Sequence, residues 1–278
     1  MTSIPRPSLV VAVVLALELP AAMLADLHPK TVEAFDRYAR VTEARIAREV
    51  ESTGAFLVLD SLPEARRKAA LAEVRGGGLF IEPLATAENG HRLEAPDAII
   101  HHWIGAVFVP GATVDRAVAL MQDYDRHAEV FRPAVARSKL LSRNGDDFRV
   151  ALRFSLKKVI TVVVNTENDA HFSRPARDRA YSRIISTRIA QVENPNTPEE
   201  KEQPVGHDGG YLWRLNSYWR YLERDGGTYV QCETISLTRD IPFMVSWIVK
   251  PFVTSIPRES LTFTLETLRK SLATVPRP

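Results

Sequence analysis

From residue 147 to residue 238 the chain is written largely in strand code, and this constrains the fold more than any other feature. Phe148, Val150, Leu152, Phe154 and Leu156 alternate with Asp147, Arg149, Arg153 and Lys157. A period of two places the apolar set on one face of a strand and the charges on the other. Further runs rich in β-branched and aromatic residues cover 99–109, 134–142, 179–192, 211–223 and 229–238, and the first strand run extends to 165. Asn144-Gly145 and Asp225-Gly226 have the chemistry of tight hairpin turns. A sheet with an apolar face must cover it. The cover is read at the C-terminus, where Leu261, Leu265, Leu268 and Leu272 form a stripe at helical spacing. Ser255 is expected to cap that helix, and Asp240 a shorter one over 242–249 that Pro251 breaks.

The N-terminal third reads differently. Arg6, the uncharged run 9–17, Pro20 and the small residues up to Ala25 resemble a secretory signal peptide, which implies export to a periplasmic or extracellular compartment. Residues 26–98 are expected to form a helical extension. Val32, Phe35, Ala39 and Ile46 share one face of a helix over 30–51, with Glu33–Arg37 and Asp36–Arg40 as i,i+4 pairs. Ser61-Leu62-Pro63-Glu64 has the form of a capping box for a helix over 62–74, which Gly76 to Gly78 can end. Two short helices bury little surface alone, so they should pack onto the domain over 99–275. Within that domain Thr113 caps a helix carrying Val114, Val118 and Met121, and 194–210 is a solvated loop.

Several function classes find no support. The chain has 36 Lys+Arg against 34 Asp+Glu, too even a balance to favour nucleic acid as a partner. Cys232 is the sole cysteine, which removes disulfides, cysteine zinc sites and Rieske clusters. His101 and His102 are neighbours on a strand and point to opposite faces, so they cannot chelate one ion together. Neither a metal nor another cofactor is expected.

Tyr211-Leu212-Trp213-Arg214, Tyr218-Trp219-Arg220, Asp225-Gly226-Gly227-Thr228-Tyr229-Val230 with Glu233, Ser236-Leu237-Thr238-Arg239-Asp240-Ile241-Pro242 and Ile256-Pro257-Arg258-Glu259-Ser260-Leu261 occur in this order. Together they resemble the START, polyketide-cyclase and lipid-transport superfamily over residues 99–274. The resemblance implies an α+β helix-grip fold, a curved antiparallel sheet wrapped around a long C-terminal helix. It also implies a cavity between sheet and helix for a hydrophobic or amphipathic molecule, lipid-like or aromatic. It carries over no catalytic residue.

The cavity candidates follow from residue type. Phe154, Trp213, Leu215, Trp219, Leu261 and Leu265 are read as apolar wall, and Phe243 and Trp247 as part of an apolar lid over 241–256 that allows a transient membrane contact. Trp213, Leu215, Trp219 and Tyr221 are expected on one face, with Arg214, Asn216 and Arg220 on the other. Arg153, Arg220 and Glu233 are the polar candidates, an arginine being suited to a carboxylate or phosphate head. A two- or four-residue hairpin loop places Glu233 opposite the Trp219 face, and a three-residue loop places it alongside. Paired with Arg220 or Arg214 it is structural; unpaired, its pKa would rise and it could act as an acid. Three readings follow: a non-enzymatic carrier or sensor, a cyclase- or dehydratase-type enzyme drawing on Glu233, His101, His102 and Tyr218, and a protein-interaction module.

Overall fold

The computed structural model describes residues 24–52, 54–157, 161–240 and 243–273, the side chains of 243–254 excepted. Nearly all of the expected leader lies outside these residues, as do the side chains of Phe243 and Trp247. In chain order the elements are β1 (Ala25–Asp26), α1 (Pro29–Glu51), α2 (Glu64–Arg75), β2 (Phe80–Pro83), β3 (Ala87–Glu88), β4 (His91–Arg92) and β5 (Ala98–Pro110). Then come α3 (Val114–Gln122), α4 (His127–Val130), β6 (Val135–Asn144), β7 (Asp147–Lys157), β8 (Thr161–Ala176) and β9 (Arg179–Glu193). β10 (Lys201–Glu202), β11 (His207–Asp208), β12 (Arg214–Arg224), β13 (Gly227–Arg239) and α5 (Phe243–Ala273) complete the chain.

One antiparallel sheet runs in the order β2-β5-β13-β12-β9-β8-β7-β6, with β10 attached to β9. The first long strand therefore pairs with the last. Asp225 and Gly226 make the two-residue β12–β13 turn at φ 60° and 76°, left-handed values that suit this dipeptide. That turn fixes register: Trp219 pairs with Cys232 and Tyr218 with Glu233, so Glu233 lies on the face opposite Trp219.

The C-terminal helix grips one face. Leu261, Leu265, Leu268 and Leu272 all sit in a core with Val107, Val109, Trp219, Tyr221, Val230 and Cys232. α5 approaches β5 closely enough that a Cβ on Gly105 would stand 2.7 Å from Leu265 Cδ1. α3 and α4 close the same end of this face through Val114, Ala117, Met121 and Phe131. We call this the gripped face.

The N-terminal helices cover the other, outer face. α1 packs Phe35, Tyr38 and Ile46 onto Trp213, Tyr218, Ile235 and Leu237, while α2 and the turn before it pack Ala70, Val74, Phe56 and Leu59 onto Ile104, Ala106, Phe108 and Tyr229. Between these two apolar patches lies an ion network, buried at Glu233 and Arg220 and partly exposed at Arg45 and Glu49. Glu233, fully buried, accepts hydrogen bonds at Oε1 from the Arg45 guanidinium of α1 and from His102 Nε2 at 2.7 Å. Arg45 also holds Glu49 at 2.9 and 3.0 Å, and Glu49 accepts from Arg220 at 2.6 Å. Arg220 also donates to the Phe56 carbonyl at 2.8 Å.

Four local expectations are corrected. The Ser61 capping box does not form: Ser61 closes a short 3₁₀ turn, and Pro63 precedes the helix without a side-chain cap. Arg37 pairs with Glu88 of β3 rather than with Glu33, because the loop behind α1 brings that carboxylate within reach. The strand run over 147–165 is two antiparallel strands, Lys157 pairing with Thr161, and the intervening sequence 158–160 holds no glycine, proline or asparagine to signal the break. Finally, α5 continues through Pro251 and Pro257 as one helix, each proline removing one backbone bond without ending it.

The network makes α1 an integral cover. Arg45→Ala would leave a buried carboxylate with one partner fewer, and we expect a loss of about 3 kcal/mol, the lower end for a broken buried pair because Arg45 is one-third exposed. In a Glu233→Gln background the same change should cost markedly less. Urea unfolding of the four chains measures this, with Leu141→Ala, an exposed site, as a control expected within about 0.5 kcal/mol of the parent.

Candidate functional site

The gripped face has a filled end and an open end. At the filled end Trp219, Tyr221, Val107 and Phe148 are buried against α3 and the C-terminal half of α5. Towards the other end the side chains become half-buried: Leu152 and Phe154 on β7, Ile184 on β9, Leu215 and Ser217 on β12, Thr234 on β13 and Trp103 on β5. This open end lies along the starts of β5 and β12 and the end of β13. The chain running from it into α5 is the segment whose side chains are not described.

Its polar groups are neutral. Asn168, buried, donates to Thr166 Oγ1 at 2.9 Å and to the Val150 carbonyl at 3.4 Å, while its Oδ1 accepts from Ser186 at 2.7 Å. Across the sheet His101 Nε2 lies 3.0 Å from Thr238 Oγ1. Burial pushes the His101 pKa down to about 4, so the imidazole is uncharged at pH 7. The gripped positions of β5 from Ile99 to Val109, β7 from Phe148 to Leu156, β8 from Val162 to Phe172, β12 from Leu215 to Tyr221 and β13 from Thr228 to Thr238 hold no carboxylate, guanidinium or ammonium.

Charge is gathered on the outer face instead. Glu233 and His102 do converge, but under α1: they are 0% and 4% exposed. Tyr38 extends the chain, for its hydroxyl accepts from the Thr86 amide at 2.9 Å and lies 2.8 Å from His102 Nδ1. The Tyr38 proton then points to Nδ1, leaving Nε2–H to donate to Glu233. Burial works to raise the Glu233 pKa, yet the hydrogen bond from His102 and the charge of Arg45 outweigh it and hold the carboxyl below its ordinary value. Oε1 takes both donors while Oε2, also buried, takes none among the described residues, and an ionised carboxylate so held is a structural anchor, not a general acid. Tyr218, whose hydroxyl donates to Glu43 at 2.8 Å, has its proton held still more firmly by burial.

The sequence candidates divide accordingly. Trp219, Leu215, Phe154, Leu261 and Leu265 lie on or against the gripped face. Trp213 does not: one residue before β12 the chain turns it under α1, where its indole donates to Asp208 at 3.1 Å. Arg153 and Arg220 also face outward, Arg153 held by Asn165 at 2.7 Å and Glu200 at 2.7 Å. Glu233 is paired as expected, though with Arg45 and His102 as direct partners. The structure adds Thr166, Asn168, Ser186 and Thr238, which carry no sequence signal beyond an even position on a strand. Open hollows of about 230 Å³ beside α3 and about 460 Å³ beside β1 are lined by none of the candidates. Among the described residues no three His, Cys, Asp or Glu side chains are grouped to hold a metal.

Two buried imidazoles make stability pH-dependent. His101 and His127 are each depressed by burial from 6.5 to about 4, so between those values the unfolded chain binds protons that the folded chain does not. Stability should therefore fall as pH drops from about 6.5 towards 4, by up to about 3 kcal/mol for each imidazole. Urea midpoints at pH 7 and pH 5 test the sign. His101→Asn and His127→Gln should each flatten the difference.

No protein-family model matches the sequence, and neither does any curated protein. Solved structures similar to the chain include a STAR-related lipid transfer protein from Xanthomonas axonopodis, 17% identical, covering 68% of this chain and 98% of that one at a TM-score of 0.43. Others are the Zhui aromatase/cyclase from a Streptomyces species, 13% identical over 63% of this chain and 94% of that one at 0.42, and human STARD10, 9% identical over 75% and 81% at 0.43. The helix-grip fold itself rests on the strand order and the gripping helix described above.

Proposed function

We propose that this chain is a non-enzymatic carrier or sensor of a hydrophobic or amphipathic small molecule, held between the open end of the gripped face and the N-terminal half of α5. The observation that carries the reading is the row of half-buried apolar side chains, Leu152, Phe154, Ile184 and Trp103, on a sheet face that is otherwise tightly filled. Such surface is costly to leave wet. A ligand hiding about 300 Å² of apolar area gains on the order of 7 kcal/mol before ordering costs, a ceiling of about ten micromolar from apolar contact alone, to which hydrogen bonds and further buried area must add. The apolar segment with Phe243 and Trp247 serves as the gate, and the N-terminal leader directs the carrier out of the cytoplasm.

The cyclase-type reading is weakened by the same division of faces. Glu233, His102 and Tyr218 lie beneath α1, and His101 alone of the four faces the site. Those four groups then offer no acid–base pair to a molecule bound against α5. The interaction-module reading leaves the half-buried apolar row without a role.

Native mass spectrometry of the full chain, before and after organic extraction, tests the carrier. The expected result is a co-purified small molecule that rebinds. Ile184→Arg should abolish retention, and Phe154→Ala should weaken it about tenfold with unchanged circular dichroism, which separates loss of binding from loss of fold. Retention of nothing by the parent chain, from its own host or from a lipid and aromatic panel, would overturn the proposal.

A further inference from the structure

Two polar clusters on the gripped face have hydrogen-bonding states that bear on the chemistry of the ligand, and the half-buried hydroxyls of Ser217 and Thr234 and the buried one of Ser236 lie between them, free to turn as donor or acceptor. Resting on the carrier reading, we infer that the ligand is uncharged and presents hydroxyl donors at two points, one near His101 and Thr238 and one near Asn168 and Ser186.

The argument is a count of donors and acceptors. At the β8–β9 pole both amide hydrogens of Asn168 are used, on Thr166 Oγ1 and the Val150 carbonyl, and the Ser186 hydroxyl proton is used on Asn168 Oδ1. Thr166 spends its own proton on the Leu152 carbonyl. What remains there is acceptor capacity: the lone pairs of Ser186 Oγ and the second lone pair of Asn168 Oδ1. At the β5–β13 pole Thr238 directs its hydroxyl proton to the Arg239 carbonyl at 3.3 Å, so it accepts from His101 Nε2–H, and the neutral imidazole keeps an acceptor lone pair on Nδ1.

Two poles offering acceptors select donors. A carboxylate or phosphate supplies only acceptors, and the described gripped positions of β5, β7, β8, β12 and β13 hold no cation to receive it; Arg143 of β6 lies over the Phe148 ring at the filled end. A hydroxyl fits both poles. An ammonium would donate well but has no carboxylate on this face to offset its desolvation. The acceptor on His101 stands three strands from that on Ser186 and four from that on Asn168, roughly 14–19 Å at about 4.8 Å per strand, with Leu215 and Ser236 between them. An apolar body of that length with a hydroxyl at each end, whether a flat multi-ring diol or a chain diol, matches the spacing. Arg153 and Arg220, expected from the sequence to greet an anionic head, face the other way.

Matched ligands on one carbon chain test this. Dodecanediol with a hydroxyl at each end, dodecanol, dodecanoate and dodecylamine are offered to the delipidated full chain at pH 7.4, with binding read by calorimetry. The diol should bind most tightly, dodecanol about tenfold more weakly, and the two ions at least tenfold more weakly than dodecanol. Asn168→Leu and Ser186→Ala should erase the preference for diol over dodecanol, while Leu141→Ala, at an exposed site, should leave all four affinities within about threefold. Dodecanoate bound as tightly as the diol, or a diol preference unmoved in both variants, would overturn this inference and leave the carrier reading standing. Binding of no member, together with no co-purified molecule, would overturn both.

Discussion

A carboxylate taken fully out of water must be paired, and the position of Glu233 organises the molecule around that requirement. Its face is decided by a turn only two residues long, since Asp225-Gly226 sets a register in which Glu233 stands beside Tyr218 rather than Trp219. Once there, the carboxylate needs donors, and the sheet alone supplies the His102 N–H with Arg220 nearby. The nearest full charge comes from α1. Arg45 completes the pairing, Glu49 joins Arg45 to Arg220, and the helix that brings them also covers the apolar residues on either side. The N-terminal helices are thus the outer wall of the core.

Concentrating charge on one face has a consequence for the other. The face turned to α5 keeps only neutral hydrogen-bonding groups and apolar side chains at the described positions of β5, β7, β8, β12 and β13. At one end these are packed by the leucine stripe, and at the other they remain half-buried. A sheet divided in this way acts as a partition. Residue types that suggest acid–base chemistry are spent on holding the fold, and the residues left for a ligand suit recognition by shape and by hydrogen bonds. The local geometry of Asn168 and His101 then matters more than any ion pair, because in a low-dielectric setting unsatisfied acceptors discriminate strongly between donors and anions.

Much of the architecture was legible because it is periodic. The alternation from Phe148 to Leu156 and the stripe from Leu261 to Leu272 each report one buried face, and both hold in the structure. The Asp225-Gly226 dipeptide is where the expected turn chemistry and the observed backbone agree. Features set by partners distant in sequence were not legible. Arg45 and Glu233 are 188 residues apart, and nothing local marks them as a pair. Trp213 shares its parity with Trp219, but it lies just outside β12 and the chain has already turned. The unbroken α5 defeats a reading in which proline ends a helix, since a proline costs one backbone bond and long helices on a core absorb that loss.

The central claim is that the ligand occupies the open end of the gripped face and nowhere else. A crystal structure of the full chain carrying its co-purified molecule addresses this most directly. The account predicts density between Ile184, Phe154 and α5, with an oxygen of the ligand within hydrogen-bond distance of Asn168 or Ser186. Density confined to another surface, or side chains of 243–254 filling that space completely in a ligand-free crystal, would contradict it.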